Sequence, residues 1–110
     1  MNAPDVWEGF SPLVPATFEP QHSIPARLVP KMPLLRPGAY ASKIECPVLF
    51  AICGKDTVAP PKPTLKFAQR APKGVIKYYE DMGHFDIYVG EKHERAFKDY
   101  KEFLQTHFPA

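Results

Sequence analysis

Apolar and polar positions divide this chain into two unlike stretches. From Pro47 to Cys53 the run Pro-Val-Leu-Phe-Ala-Ile-Cys is unbroken. Such a run predicts a strand buried on both faces. Gly54-Lys-Asp56 ends it. Pro60 and Pro61 suit a first helical turn, and the helix is expected to run to about Arg70, with Leu65 and Ala68 inward and Pro72-Lys-Gly74 stopping it. Val75-Ile-Lys-Tyr-Tyr79 predicts a second strand, followed by the turn Asp81-Met-Gly-His84. Phe97, Tyr100, Phe103 and Leu104 recur at helical spacing and predict a last helix over about Glu91 to Thr106, docked by that stripe. Strand, helix, strand, helix with short crossovers makes parallel pairing, an α/β arrangement.

Residues 1–43 follow no such period. Nine of the 14 prolines fall within residues 1–47. Each removes a backbone donor and turns the preceding residue toward extended geometry, leaving little room for a long helix or an interior strand. The same stretch carries Trp7, Phe10, Leu13, Phe18, Leu28, Leu34, Leu35 and Tyr40. It is too apolar for a free linker and is expected to lie against something else.

Composition narrows the function. At 110 residues the chain is one domain at most. The net charge is only +2, and basic residues alternate with acidic ones along the last helix. That is a solvated face rather than a polyanion footprint, so no nucleic acid is expected as a partner. No apolar run reaches the roughly 18 residues of a membrane span, and Met1–Asp5 lacks the features of a secretory leader. Cys46 and Cys53 read as one strand, roughly 23 Å apart, beyond the about 6 Å of a disulfide. Both are expected to be small buried apolar residues, in a cytoplasmic, reducing setting.

Asp56 follows the first predicted strand and His84 the second. In parallel sheets that edge gathers catalytic groups. A carboxylate there can hold the Nδ1 proton of a histidine while Nε2 takes a proton from a nucleophile. Each residue also has a plainer reading: Asp56 as a cap for the helix near Pro60, His84 as a turn residue. Asp86 reads as a polar residue orienting the histidine loop, and Phe85 and Tyr88 as packing. His84, Asp86 and His93 match no zinc spacing, and no metal or organic cofactor is expected. His22, His93 and His107 suggest no chemistry.

Residues 44–108 resemble the C-terminal part of the α/β-hydrolase fold. The resemblance rests on "IECPVLFAICGKDTVAP", an amphipathic helix, "YYEDMGHFDIYVG" and a closing helix ending "FLQTHF". It implies Asp56 as triad acid and His84 as triad base of a serine hydrolase acting on a small ester or amide. Residues 1–43 resemble the end of a lid insertion, which sets 44–110 apart as hydrolase core. The nucleophile's G-x-S-x-G is absent. Ser11, Ser23 and Ser42 stand in Phe-Ser-Pro, His-Ser-Ile and Ala-Ser-Lys, and Cys53 is a poor substitute. The chain is therefore expected to be inactive alone, to require the missing N-terminal part of the hydrolase, and to self-associate through its open strand edge. The rival reading is a non-catalytic α/β module that binds a partner protein through the proline-rich arm.

Overall fold

Two parallel strands form the centre of the protein. A computed structural model describes residues 6–19, 23 and 25–109. Strand β1 (Val48–Cys53) pairs with β2 (Gly74–Tyr79), with Val48 opposite Gly74 and Cys53 opposite Tyr79. Helix α2 (Pro61–Ala68) makes the crossover, and α3 (Glu91–His107) follows β2. The protein is thus mixed helix and strand with a small parallel sheet.

The crossover is set by proline and by tight turns. Pro60 stands before α2 with extended ψ, and Pro61 occupies the first helical position, where its missing N–H costs nothing. The helix ends at Ala68 rather than Arg70. Arg70 N donates to Phe67 O, Ala71 N to Ala68 O, and Gly74 N to Ala71 O, so successive turns carry the chain back to β2. Ala68 is buried against the sheet, and Leu65 is half-buried.

The proline-rich arm contains α1 (Val6–Phe10) and three 3-10 segments, Ser11–Leu13, Ala26–Leu34 and Pro37–Lys43. No strand occurs among its described residues. Two close approaches tie it to the rest. Gly38 lies so close to the Phe67 ring that a side chain there would collide, and Gly9 sits likewise on Phe85. Most of its large apolar side chains are exposed nonetheless; Leu34 is 78% exposed and Leu35 66%. His22 lies outside the described residues.

Three expectations about burial are corrected. The first four residues of β1 are only half-buried, because two strands and two helices cannot cover both faces of the sheet. Cys46 is exposed, and only Cys53 is buried; the strand starts at Val48, leaving Cys46 outside it. Helix α3 docks by only part of its stripe: Tyr100 packs on the core and Phe103 is half-buried, but Phe97 and Leu104 are 52% and 54% exposed. Its buried residue is Ala96. The core cluster is Cys53, Tyr79, Met82 and Ala96, flanked by Ala51, Ile87 and Tyr100. No described helix is long and apolar enough to cross a membrane.

Candidate functional site

The two strand-end loops are joined by rungs that prolong the sheet. Gly54 N donates to Tyr79 O at 2.8 Å, and Lys55 N donates to Met82 O at 2.9 Å. A Cβ on Gly54 would stand 2.9 Å from Glu80 Cα, so only glycine lets the loops approach this closely. Met82, wholly buried, fills the space beneath. The next rung is made of side chains: His84 Nδ1 and Asp56 Oδ2 lie 2.8 Å apart. With the proton on Nδ1, His84 donates to the carboxylate and Nε2 is left as an acceptor.

Asp56 uses its two oxygens differently. Oδ1 accepts from Val58 N at 2.8 Å and Ala59 N at 2.7 Å, an Asx-type turn. Oδ2 meets His84. The plainer reading of Asp56 therefore holds in altered form: it caps the turn before α2, not α2 itself, and does so while bonding the histidine. The side chains of Asp56 and His84 are 11% and 28% exposed. The His84 ring meets the edge of Phe85 at a centroid distance of 4.9 Å and Tyr88 at 6.5 Å. Phe85 packs under α1 at Gly9. Tyr88, read as packing, is instead 52% exposed; its N–H closes a turn onto Phe85 O at 3.0 Å.

Asp86 holds the histidine loop. Its Oδ2 accepts from Gly83 N at 2.8 Å and from Lys92 Nζ at 3.0 Å. These bonds, Gly83 N first, outweigh burial and keep the carboxyl below its ordinary range. His93 contributes elsewhere: its Nδ1 lies 2.8 Å from Ile87 O. No group of three or more potential metal ligands occurs among the described residues.

Among the described residues, neither the three serines nor Cys53 stands beside His84 as a nucleophile. Ser11, Ser23 and Ser42 are all exposed. Burial first, then the nearby charges of Asp56 and Asp86, push the Cys53 thiol up to about 11. It stays protonated at neutral pH and is a poor nucleophile. An apolar cleft of about 490 Å³ lies between arm, sheet and α2, lined by Leu35, Pro37, Ala41, Phe50, Pro63 and Phe67 among others. Neither Asp56 nor His84 lines it.

Among curated proteins, the chain is similar to the quorum-quenching protein AidA of Acinetobacter baumannii (strain MDR-ZJ06). The two are 43% identical over 109 residues, 99% of this chain and 36% of AidA. It is also similar to two proteins of Escherichia coli, each described as an uncharacterized 31.7 kDa protein in the traX-finO intergenic region. Each is 34% identical over 74 residues, 66% of this chain and 26% of the relative. The chain thus spans about a third or less of the length of these relatives. No family model matches the sequence, and no solved structure does.

Proposed function

We propose that the chain supplies the acid and base of a serine-hydrolase triad in an α/β-hydrolase fold whose remaining elements lie outside this sequence. One observation carries the reading: the 2.8 Å bond between His84 Nδ1 and Asp56 Oδ2, held at the C-terminal ends of two adjacent parallel strands. In the complete enzyme a serine attacks the carbonyl carbon of an ester or amide. His84 Nε2 takes the hydroxyl proton and later gives it to the leaving group, while Asp56 fixes the tautomer and stabilises the imidazolium. Water then attacks the acyl-enzyme, with Nε2 again taking a proton, and the serine is regenerated. The length of the curated relatives leaves room for a serine elbow and oxyanion donors beyond the third matched here. Quorum quenching, which AidA carries in its name, is a use that such ester or amide cleavage could serve.

The test is a chimera in which this chain replaces the matching third of AidA. It is expected to hydrolyse an activated aryl ester and to be labelled by a fluorophosphonate. His84→Ala should lower turnover by about ten-thousand-fold or more. A folded chimera whose turnover is unchanged by His84→Ala overturns the reading. The rival, a partner-binding module, draws on the exposed Leu34 and Leu35 of the arm. It gains ground if the folded chimera has no hydrolase activity.

A further inference from the structure

The loop that carries His84 is gripped from one side by α3. Gly83 N donates to Asp86 Oδ2 at 2.8 Å, and Asp86 N donates back to Gly83 O at 3.3 Å. His84 and Phe85 are enclosed in the ring these two bonds close. Lys92, the second residue of α3, fastens that ring from outside. Its Nζ donates to Asp86 Oδ2 at 3.0 Å and to Asp81 O at 2.7 Å, bridging the two residues that flank the stretch Met82–Phe85. Arg95, one turn further along, reaches the Asp81 side chain. The motif reading of this loop points to Gly83 and His84 and is blind to Lys92, which looks like an ordinary surface lysine.

We propose that Lys92, acting through Asp86, is a positioning residue that sets the place of the His84 imidazole. The catalytic meaning of that role rests on reading His84 as the triad base; the geometry does not. Three hydrogen bonds meet at two acceptors in a loop without helix or strand, and the ammonium has enough donors to serve both. A lone exposed ion pair at this position would contribute little. Here one of the bonds goes to a backbone carbonyl, and Asp86 also holds Gly83 N, so loss of Lys92 should loosen the backbone beside the histidine.

The test uses the chain as it is, labelled with 15N. In the wild type, the Nδ1 proton of His84 should give a far-downfield signal from its bond to Asp56. Lys92→Met keeps most of the aliphatic stem but removes the donors. It should speed amide exchange at Gly83 by about tenfold or more and broaden or abolish the His84 signal, with exchange at Phe50 and Val75 unchanged. Asp86→Ala should act alike, and Lys92→Arg should keep both signatures. Asp56→Asn should abolish the His84 signal while Gly83 stays protected. That separates the clamp from the pair it positions. If Lys92→Met leaves Gly83 exchange unchanged, there is no clamp. If it speeds Gly83 but leaves the His84 signal as in the wild type, the clamp orders the loop without positioning the imidazole. Either result overturns the proposal. A wild type lacking the Nδ1–H signal overturns the His84–Asp56 pair itself.

Discussion

At the scale of single residues, the division of labour in Asp56 has a sharp consequence. Oδ1 accepts from two backbone N–H groups, so an asparagine at 56 must place its amide oxygen there. Its NH2 then faces His84 Nδ1. The imidazole can meet it only as an acceptor, which moves the ring proton to Nε2, the atom that receives a proton in the proposed mechanism. Asp56→Asn is therefore expected to invert the His84 tautomer with little loss of fold, seen directly in the 15N shifts of the ring. On the proposed reading of the pair as triad acid and base, it should lower the kcat of the complete protein by about ten-thousand-fold. Met82 makes the contrasting case. It is wholly buried under the loop, and Met82→Ala should cost about 2–5 kcal/mol in denaturant unfolding through the cavity left behind. Asp56 and His84 could be found in the sequence because glycine turns after apolar runs mark them. Met82 could not, because one methionine in a polar turn carries no period that shows where it points.

At the scale of elements, α3 shows why a hydrophobic stripe can mislead. Phe97 and Leu104 fall in step with Tyr100 and Phe103 yet stay exposed; the helix docks through Ala96 and Tyr100, with Lys92, Arg95 and Asp99 bonding β2 and the loop after it. Tyr79 OH donates to Asp99 Oδ2 at 2.7 Å, and Lys77 Nζ lies 3.0 Å from Asp99 Oδ1. The Arg95 guanidinium stands over the Tyr79 ring at 5.4 Å. The docking face answers to polar groups on β2 and the loop after it, which a period computed along one helix does not register. Asp99→Ala should cost about 1–3 kcal/mol, because it strands the buried Tyr79 hydroxyl; Tyr79→Phe should cost nearer about 1 kcal/mol. Burial pushes Asp99 up, but the bonds from Tyr79 and Lys77 outweigh it and hold the carboxyl below the ordinary 3.8. Asp81, held by Arg95, and Asp86, held by Gly83 N and Lys92, are lowered as well. Carboxyls lowered on folding stabilise the fold above the ordinary value and lose that contribution as pH falls through their folded values. The docking of α3 should therefore be constant near neutrality and weaken progressively as pH falls below about 4 and through the lowered folded values of these carboxyls, as followed by circular dichroism.

At the scale of the whole molecule, the outer edge of β1 has no partner strand among the described residues. Val48 N and Gly54 N donate to Lys73 O and Tyr79 O, so the even-numbered residues of β1 face β2. Leu49 and Ala51 must turn their backbone groups the other way, where no strand stands among the described residues. Such an edge invites pairing with another chain, and the exposed apolar residues of the arm add to the tendency. We expect the 110-residue chain to self-associate in sedimentation, and amide exchange at Leu49 and Ala51 to slow as concentration rises. A monodisperse monomer with those amides already protected would mean that the chain closes its own sheet. The same chain should not be labelled by a fluorophosphonate; labelling abolished by changing Ser11, Ser23 or Ser42 would reveal a nucleophile in the arm.

The rungs that carry the sheet past its strands also set an order of events. Asp56 and His84 are 28 residues apart along the chain, and closing a loop of that length costs entropy that one side-chain bond cannot recover. The β1–β2 ladder bears that cost. The pair can form only after pairing has zipped through Gly54 and Lys55, and it is the first bond to open when the ladder frays from that end. The His84 ring proton would then act as a clock hand for the sheet, its exchange rate marking how often the C-terminal end of the pairing opens.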